Sequence, residues 1–204
     1  IQMPHTLAAA AHSELTIKKS RFMGCVQPVA DRATAQKVVA GLWAEHPTAT
    51  HVCWALMAGG HSAAVDDGEP SGTAGRPMLD VLRHHDLEGV LATVVRYYGG
   101  VNLGAGGLVR AYTDAVAQAL LKADKVPIVK QHALLCALPY PLEGRVRREL
   151  EAAGAVLGAV QHNVRVTMAF TVPADAWSGL MTRLNEAGGG QLEWLDATEA
   201  PATA

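Results

Sequence analysis

Two irregular segments of the sequence concentrate the side chains that can do chemistry. The first, residues 66–77, reads DDGEPSGTAGRP and places three carboxylates within four positions, followed by two hydroxyls and an arginine. Its candidate site residues are Asp66, Asp67, Glu69, Ser71, Thr73 and Arg76. One interpretation is a tight loop whose side chains cap its own amides; the other is an oxygen-rich cation site or a loop that meets a partner. The spacing is not that of an EF-hand, which needs acidic groups at alternate positions and a late glutamate.

The second segment, residues 96–110, reads RYYGGVNLGAGGLVR and is predicted to run from a strand through a turn into a helix. Its candidate anion-binding residues are Arg96, Gly99, Gly100, Gly104, Gly106, Gly107 and Arg110. Free N–H groups at a helix amino terminus attract anions, and Arg110, predicted in the first helical turn, adds positive charge. The alternative is close helix–strand packing that only glycine permits. The segment matches neither a phosphate-binding Walker loop nor a dinucleotide fingerprint, whose third glycine would fall on Val109.

The two segments are complementary in charge, so we expect them to meet in the folded chain. Asp66, Asp67 or Glu69 would then pair with Arg96 or Arg110. Such a cluster would explain these residues without any catalysis, and it would leave a concave polar surface suited to an anion.

Other candidate residues support weaker hypotheses. His51 and Cys53 share one face of a predicted strand and could form a metal site with the acidic segment; we favour a buried cysteine and a hydrogen-bonded histidine, with no metal and no cofactor. Lys18, Lys19 and Arg21 could extend a basic patch for nucleic acid or be solvated surface. No catalytic residue is assigned, because neither hydroxyl of the first segment has a histidine beside it in sequence.

The elements that must position these residues follow from periodicity. In the second half, strands over residues 133–138, 156–160, 164–172 and 192–194 alternate with two helices that begin near prolines, which predicts the βαββαβ order of a ferredoxin-like domain. The first half reads as a mixed α/β domain. It has strands within residues 15–28, 51–57 and 90–96, and helices over 32–45, 77–82 and 108–122. We therefore predict an α+β protein with domains at residues 1–126 and 127–204.

Composition restricts the setting. The chain has 204 residues, a formal net charge of −2 and three widely spaced cysteines, a set that fits a reducing compartment better than a disulfide framework. No apolar run approaches the length of a membrane span, and the first eleven residues do not resemble a signal peptide. We expect a cytoplasmic protein without a membrane partner. Its charge gives no global attraction to nucleic acid, so any polyanion site must be local.

Together the two segments resemble the signature of the IMPACT/YigZ family in its bacterial two-domain form. The runs KSRF at 19–22 and ATHVC at 49–53 resemble its earlier landmarks. The chain departs from the pattern at Asn102, where lysine is expected, and at Val95, where threonine is expected. The resemblance implies a first domain similar to domain IV of elongation factor G and to the GHMP kinases. It implies a second domain similar to the last domain of elongation factor G.

We therefore expect a non-enzymatic cytosolic factor linked to translation or its regulation, with RNA or the ribosome as partner and no DNA specificity. The anion- or nucleic-acid-binding residues would be the seven named in the second segment together with Arg21 and Arg76. The alternative is a nucleotide- or phosphate-binding enzyme of GHMP-kinase-like fold, which would use the glycine turn and the carboxylates at positions 66–69 as magnesium ligands.

Overall fold

The computed structural model describes residues 4–196, and the chain divides into two compact units, Ile1–Ile128 and Val129–Ala204. Both units combine helices and strands, so the fold is α+β. The boundary lies two residues beyond the predicted one, because Pro127 belongs to a short strand that pairs with the start of the first unit. Among the described residues no helix has the length and apolar character needed to cross a membrane.

The first unit contains seven strands and three helices within its described residues. The strands are β1 (His5–Leu7), β2 (Ala11–Ile17), β3 (Ser20–Pro28), β4 (His51–Ala58), β5 (His61–Val65), β6 (Val90–Tyr97) and β7 (Lys125–Pro127). The helices are α1 (Arg32–Glu45), α2 (Gly75–His84) and α3 (Gly104–Leu121). β1 and β7 form a small antiparallel pair, and the other strands form one antiparallel sheet in the order β2-β3-β6-β4-β5.

Strands β4 and β6, neighbours in the interior of this sheet, are buried on both faces. Cys53 and Val94 pack into the core formed with α2 and α3. Trp54 and Leu91, which alternate with them, pack into a second core with α1. The sequences of β4 and β6 therefore read as nearly continuous apolar runs, as expected when both sides of a strand exclude water. Helix α1 begins as predicted, because the Asp31 side chain accepts the N–H of Thr34 at 2.8 Å.

Helix α3 begins one turn earlier than the sequence predicts. It starts at Gly104 rather than near Leu108, so three glycines that weigh against a helix lie in its first turn. Arg110 therefore lies in the second turn. Strand β5 was not predicted, because its polar and alanine-rich sequence carries little strand signal.

The second unit has the element order β8 (Gln131–Leu138), α4 (Glu143–Ala152), β9 (Val156–His162), β10 (Val166–Pro173), α5 (Ala174–Gly188) and β11 (Glu193–Leu195). This is the βαββαβ order read from the sequence. The sheet is antiparallel in the order β11-β8-β10-β9. Alternate residues of β10, among them Met168 and Phe170, are buried in a core with Leu150 and Leu184 from the helices. Val164 was predicted to begin this strand, but it precedes the strand and is exposed.

The turn between β2 and β3 has an unusual composition. Ile17 pairs with Ser20, so Lys18 and Lys19 alone connect the strands, and both have left-handed backbones with φ of 45° and 66°. Two-residue turns of this kind favour Asn-Gly, because other side chains are strained there. Two lysines at these positions therefore cost stability.

Replacing this pair by Lys18→Asn and Lys19→Gly is expected to stabilise the fold by about 1–2 kcal/mol, because the strain of the left-handed residues is relieved. Urea unfolding followed by circular dichroism measures the change. The double variant Lys18→Gln, Lys19→Gln removes the same charges without relieving the backbone, so it is the matched control. Equal stability of the two double variants would contradict this reading of the turn.

Candidate functional site

The two segments meet at a buried ion pair, as their charges predicted. Nη1 of Arg96, at the end of β6, lies 2.5 Å from Oε1 of Glu69 in the acidic loop. Only 6% and 3% of the respective side chains are exposed. A charged hydrogen bond this far from water is strong only if both partners keep further contacts, because the desolvation of two charges is costly.

Glu69 receives further support from α3 and β4. The hydroxyl of Tyr112 donates to the same Oε1 at 2.7 Å, and Nε2 of His51 lies 3.7 Å from it. The thiol of Cys53 is 3.4 Å from the Tyr112 oxygen and donates to the carbonyl of Asp66 at 3.0 Å. These contacts form a chain of polar groups through the core of the first unit.

Tyr112 and Cys53 keep their protons at neutral pH. Burial, together with neighbouring Cys53 and Glu69, raises the pKa of Tyr112 far above its ordinary value. Burial also raises the pKa of Cys53 to about 12. Because a thiolate is the reactive form of cysteine, Cys53 is not a nucleophile here. His51 and Cys53 fit the hydrogen-bonded histidine and buried cysteine that we favoured.

The guanidinium of Arg96 is enclosed by aromatic rings and hydrogen-bond acceptors. Its carbon lies 5.3 Å from the centroid of Phe22 and 5.5 Å from that of Tyr98, and Nη2 donates to the hydroxyl of Ser20 at 3.2 Å. Its Nε is buried and has no hydrogen-bond partner within residues 4–196. A buried N–H without an acceptor is uncommon in native proteins and calls for a specific reason.

The first two carboxylates of the acidic loop are structural. Asp66 accepts the backbone N–H groups of Gly72, Ala74 and Gly75 at 2.9, 3.2 and 2.9 Å, which holds the loop against the start of α2. Asp67 accepts the N–H of Val52 at 2.7 Å. Asp66 follows the capping interpretation, whereas Asp67 ties the loop to β4. The contacts of both carboxylates leave them poorly placed to hold a cation. No metal-binding group of three or more His, Cys, Asp or Glu side chains occurs in the part of the chain that the structure describes.

The rest of the acidic loop makes local contacts. The hydroxyl of Thr73 is buried and donates to the carbonyl of Pro70 at 2.6 Å, while Ser71 is exposed. Arg76 is exposed and pairs with Asp80 one helical turn later. Neither the hydroxyls nor Arg76 line the cleft beside the ion pair.

The glycine turn combines both predicted interpretations. Gly99 lies so close to the backbone of Lys19 that a Cβ atom would be 2.1 Å from its carbonyl, so packing alone requires this glycine. Gly100 and Gly104 have left-handed backbones. Gly106 faces open space, so nothing in the fold demands a glycine there. Gly107 is half-buried against Leu103. Leu103 occupies the N-cap position of α3, where its side chain makes no capping hydrogen bond.

A cleft of about 420 Å³ opens above the ion pair. Its lining residues are Thr50, His51, Glu69, Pro70, Arg96, Tyr98, Asn102, Leu103, Gly104, Ala105 and Leu108. Tyr98 is 48% exposed, and its hydroxyl donates to the Asn102 side chain at 3.2 Å. Nδ1 of His51 lies 2.7 Å from the carbonyl oxygen of Asp67, so this nitrogen carries a proton and donates it to that carbonyl.

Several predicted site residues lie outside this cleft. Arg110 is exposed and is not part of its lining, because α3 starts earlier than predicted and turns this residue away. Arg21 is exposed, pairs with Glu14 at 2.8 Å and lies over the ring of Tyr97. Sequence reasoning missed Tyr112 and Ser20 as partners of the ion pair. A tyrosine on the buried face of a helix was a usable signal, since a buried hydroxyl needs a partner.

Comparisons with family models match most of the chain. The Impact N-terminal domain matches residues 18–120, which include both segments and the cleft. A domain of unknown function (DUF1949) matches residues 136–191, within the second unit.

Individual relatives extend the similarity over nearly the whole length. The chain is 34% identical over 201 residues to the IMPACT family member YvyE of Bacillus subtilis, covering 94% of this chain and 93% of that protein. It is 34% identical over 190 residues to the IMPACT family member YigZ of Escherichia coli, covering 90% and 92%. A crystal structure of a hypothetical protein superposes with a TM-score of 0.77 at 31% identity, covering 98% and 99%.

The buried ion pair predicts that Arg96 contributes more to the stability of the fold than Arg110 does. Arg96→Gln leaves the Glu69 carboxylate buried without its cation, so it should lower the free energy of unfolding by about 3–5 kcal/mol. Arg110→Gln changes an exposed side chain and should stay within about 0.5 kcal/mol of the parent. Urea unfolding of both variants at neutral pH tests this. A loss for Arg96→Gln no larger than that for Arg110→Gln would show that the pair contributes nothing.

The lowered pKa of Asp66 predicts that its contribution to the stability of the fold is lost in acid. Burial raises its pKa, but three backbone N–H groups outweigh that effect, so the pKa lies below its ordinary value of 3.8. A lowered folded-state pKa gives stability that is present above the ordinary value and is lost as pH falls through the folded value. Asp66→Asn should therefore be less stable than the parent at pH 7, and the difference should shrink below about pH 4. Melting temperatures from pH 7 to pH 2.5 measure it; a constant difference would contradict the assignment.

Proposed function

The chain belongs to the IMPACT family, and from its cleft we propose that it is a non-enzymatic factor that binds RNA and acts in translation. One observation carries the proposal. An exposed tyrosine ring rests on a buried arginine beside a helix amino terminus that no side chain caps. These are the parts needed to hold the base and the phosphate of a nucleotide in an RNA strand.

The phosphate half of the site is the start of α3. The helix has 18 residues, no side-chain cap and no acidic residue in its first turn, so its first N–H groups and its dipole favour an anion. The orphaned Nε of Arg96, in the lining of the same cleft, is a second feature that suits an anionic ligand. Gly104 and Ala105, in the first turn of this helix, line the cleft.

The base half of the site is Tyr98. The guanidinium of Arg96 lies near its ring, the hydrogen bond to Asn102 fixes its hydroxyl, and about half of the side chain stays exposed. Stacking of a base on an aromatic ring contributes about 1–3 kcal/mol and tolerates any base. A held, half-exposed ring in a cleft is therefore a suitable platform for single-stranded RNA.

The strained lysine turn supplies positive charge beside the cleft. The backbone of Lys19 packs against Gly99, and the N–H of Gly99 donates to the hydroxyl of Ser20. The turn therefore lies next to the segment that carries Tyr98. The Glu69–Arg96 pair is neutral as a unit, and asparagine replaces the lysine expected at position 102. The two lysines are thus well placed to attract the RNA backbone, and strain retained at such a turn fits a functional role.

The finer fold assignments support a role in translation. We propose that the first unit shares the fold of elongation factor G domain IV and the GHMP kinases. We also propose that the second unit, with its βαββαβ order, is ferredoxin-like and similar to the last domain of elongation factor G. This part of the proposal rests on fold analogy. The kinase-like alternative is disfavoured, because the Asp66 and Asp67 carboxylates, its candidate magnesium ligands, accept hydrogen bonds from backbone N–H groups.

Titration of the full chain with a labelled single-stranded RNA, followed by fluorescence anisotropy at increasing salt, tests the proposal. Affinity should fall steeply with salt, since each neutralised phosphate contributes about −0.7 to the logarithmic slope. Lys18→Gln with Lys19→Gln should weaken binding and flatten the slope by up to about 1.4. Lys37→Gln removes a charge from α1, on the opposite face of the sheet, and should leave the slope unchanged.

Absence of RNA binding by the parent chain at low salt would refute the proposed function. Equal losses of RNA affinity in Lys37→Gln and in the Lys18→Gln, Lys19→Gln double variant would show that RNA contacts the surface diffusely. The contact would then not centre on the cleft.

A further inference from the structure

One oxygen of the Glu69 carboxylate accepts no hydrogen bond from the part of the chain that the structure describes. Oε1 receives both Arg96 and Tyr112, whereas no donor from residues 4–196 reaches Oε2. The side chain is 97% buried by its neighbours, with 3% exposed, and the residue lines the cleft. Oε2 is not fully buried, because Nε of Arg96 is the only fully buried side-chain nitrogen or oxygen without a partner in residues 4–196. A ligand that covered Oε2 would have to bring N–H groups, since a carboxylate oxygen buried without a donor is costly.

The position of this oxygen defines the kind of ligand. It lies in the lining of the same cleft as the ring of Tyr98 and the amino terminus of α3. A matching ligand needs N–H donors on one edge of a flat ring and an anionic group within reach. A volume of about 420 Å³ suits one such small group and not several.

We propose that the cleft binds a guanine nucleotide through Glu69, which deepens the RNA-binding function proposed above and rests on it. Guanine presents two neighbouring donors, N1–H and N2–H₂, on one edge, and both can approach a carboxylate oxygen. Uracil places carbonyl oxygens on both sides of its single N–H, and these oxygens repel a carboxylate. Adenine and cytosine pair their amino group with an acceptor nitrogen, which a carboxylate also disfavours.

Each part of the site then has a separate role. Tyr98 stacks on the base and contributes affinity without choosing among bases. The amides at the start of α3 hold the phosphate. Glu69 accepts the guanine donors and supplies the discrimination, because the wrong base would leave a buried charge unpaired. Arg96 and Tyr112 hold the carboxylate in one orientation.

The same chemistry is offered by guanine within RNA and by free guanosine monophosphate, so the test includes both. Labelled uridine hexamers that carry G, inosine, A, C or U at one central position are titrated against the full chain at low salt. The G oligonucleotide should bind about tenfold or more tightly than the U oligonucleotide, the scale of a hydrogen bond to a charged group. Inosine lacks only the N2 amino group and should lie between them. Guanosine monophosphate should compete better than uridine monophosphate.

Glu69→Gln identifies the residue responsible. The variant keeps an acceptor for Arg96 and Tyr112 and replaces the free oxygen by an NH₂ group, so the preference for G should disappear while U binding persists. Asp80→Asn is the matched control, an acid-to-amide change on α2 outside the cleft, and should keep the preference. Melting curves report whether each variant is folded, and the base series with the parent chain decides the question if Glu69→Gln is not.

The outcomes separate this inference from the proposed function. Equal affinity for all five oligonucleotides would refute the guanine site, while the proposal that the protein binds RNA would still hold. A G preference that survives in folded Glu69→Gln also overturns it. Binding of guanosine monophosphate without binding of any oligonucleotide supports the guanine site, assigns it to a free nucleotide and refutes the RNA function. Binding of neither refutes both.

Discussion

The arrangement of the first unit depends on the additional hydrogen bonds that stabilise one buried ion pair, Glu69 with Arg96. Burying Glu69 and Arg96 removes two charges from water, and their mutual attraction repays this only with additional hydrogen bonds. Those bonds come from elements far apart in sequence, with Tyr112 on α3 and Ser20 at the start of β3. The pair therefore links the acidic loop, the sheet and the long helix at one point. Carboxylates also hold the irregular acidic loop, since Asp66 accepts the loop's own backbone N–H groups and Asp67 accepts the N–H of Val52 on β4.

A hydrophobic cluster of similar volume would hold these elements at lower cost in free energy. The polar arrangement leaves Nε of Arg96 buried without a partner in residues 4–196, and it leaves Oε2 of Glu69 without a donor from those residues. Both residues line the cleft. The ion pair is joined there by a helix terminus without a cap and a turn of two strained lysines. Each feature lowers stability, and all of them lie on or beside one cleft. Departures from ideal local structure that gather in one place are the pattern expected of a binding site.

Much of this arrangement follows from the sequence. Alternation and helical spacing located most elements of both units, and opposite charge predicted that the acidic segment and the glycine-rich segment would meet. Which carboxylate pairs with which arginine was left open, and the structure pairs Glu69 with Arg96. The role of Tyr112 was missed because periodicity identifies the buried face of a helix but not the atom that its hydroxyl contacts. Arg110 was misplaced because glycines argue against a helix start, so the first turn of α3 was assigned to a loop. The two-residue turn at Lys18 and Lys19 could not be predicted from the sequence, because lysines are not typical of turns with left-handed backbones. It is identified only by its backbone angles.

The most direct test of the central claim is an NMR titration of the ¹⁵N-labelled chain with a short single-stranded RNA. We predict shift changes concentrated at the backbone amides of residues 98–107 and at the Nε–H signal of Arg96, whose proton has no partner among the described residues 4–196. Signals from α1, on the opposite face of the sheet, should not move. Changes centred on α1 or on the second unit, with the Arg96 Nε–H signal unmoved, would contradict the claim that the buried pair builds the binding site.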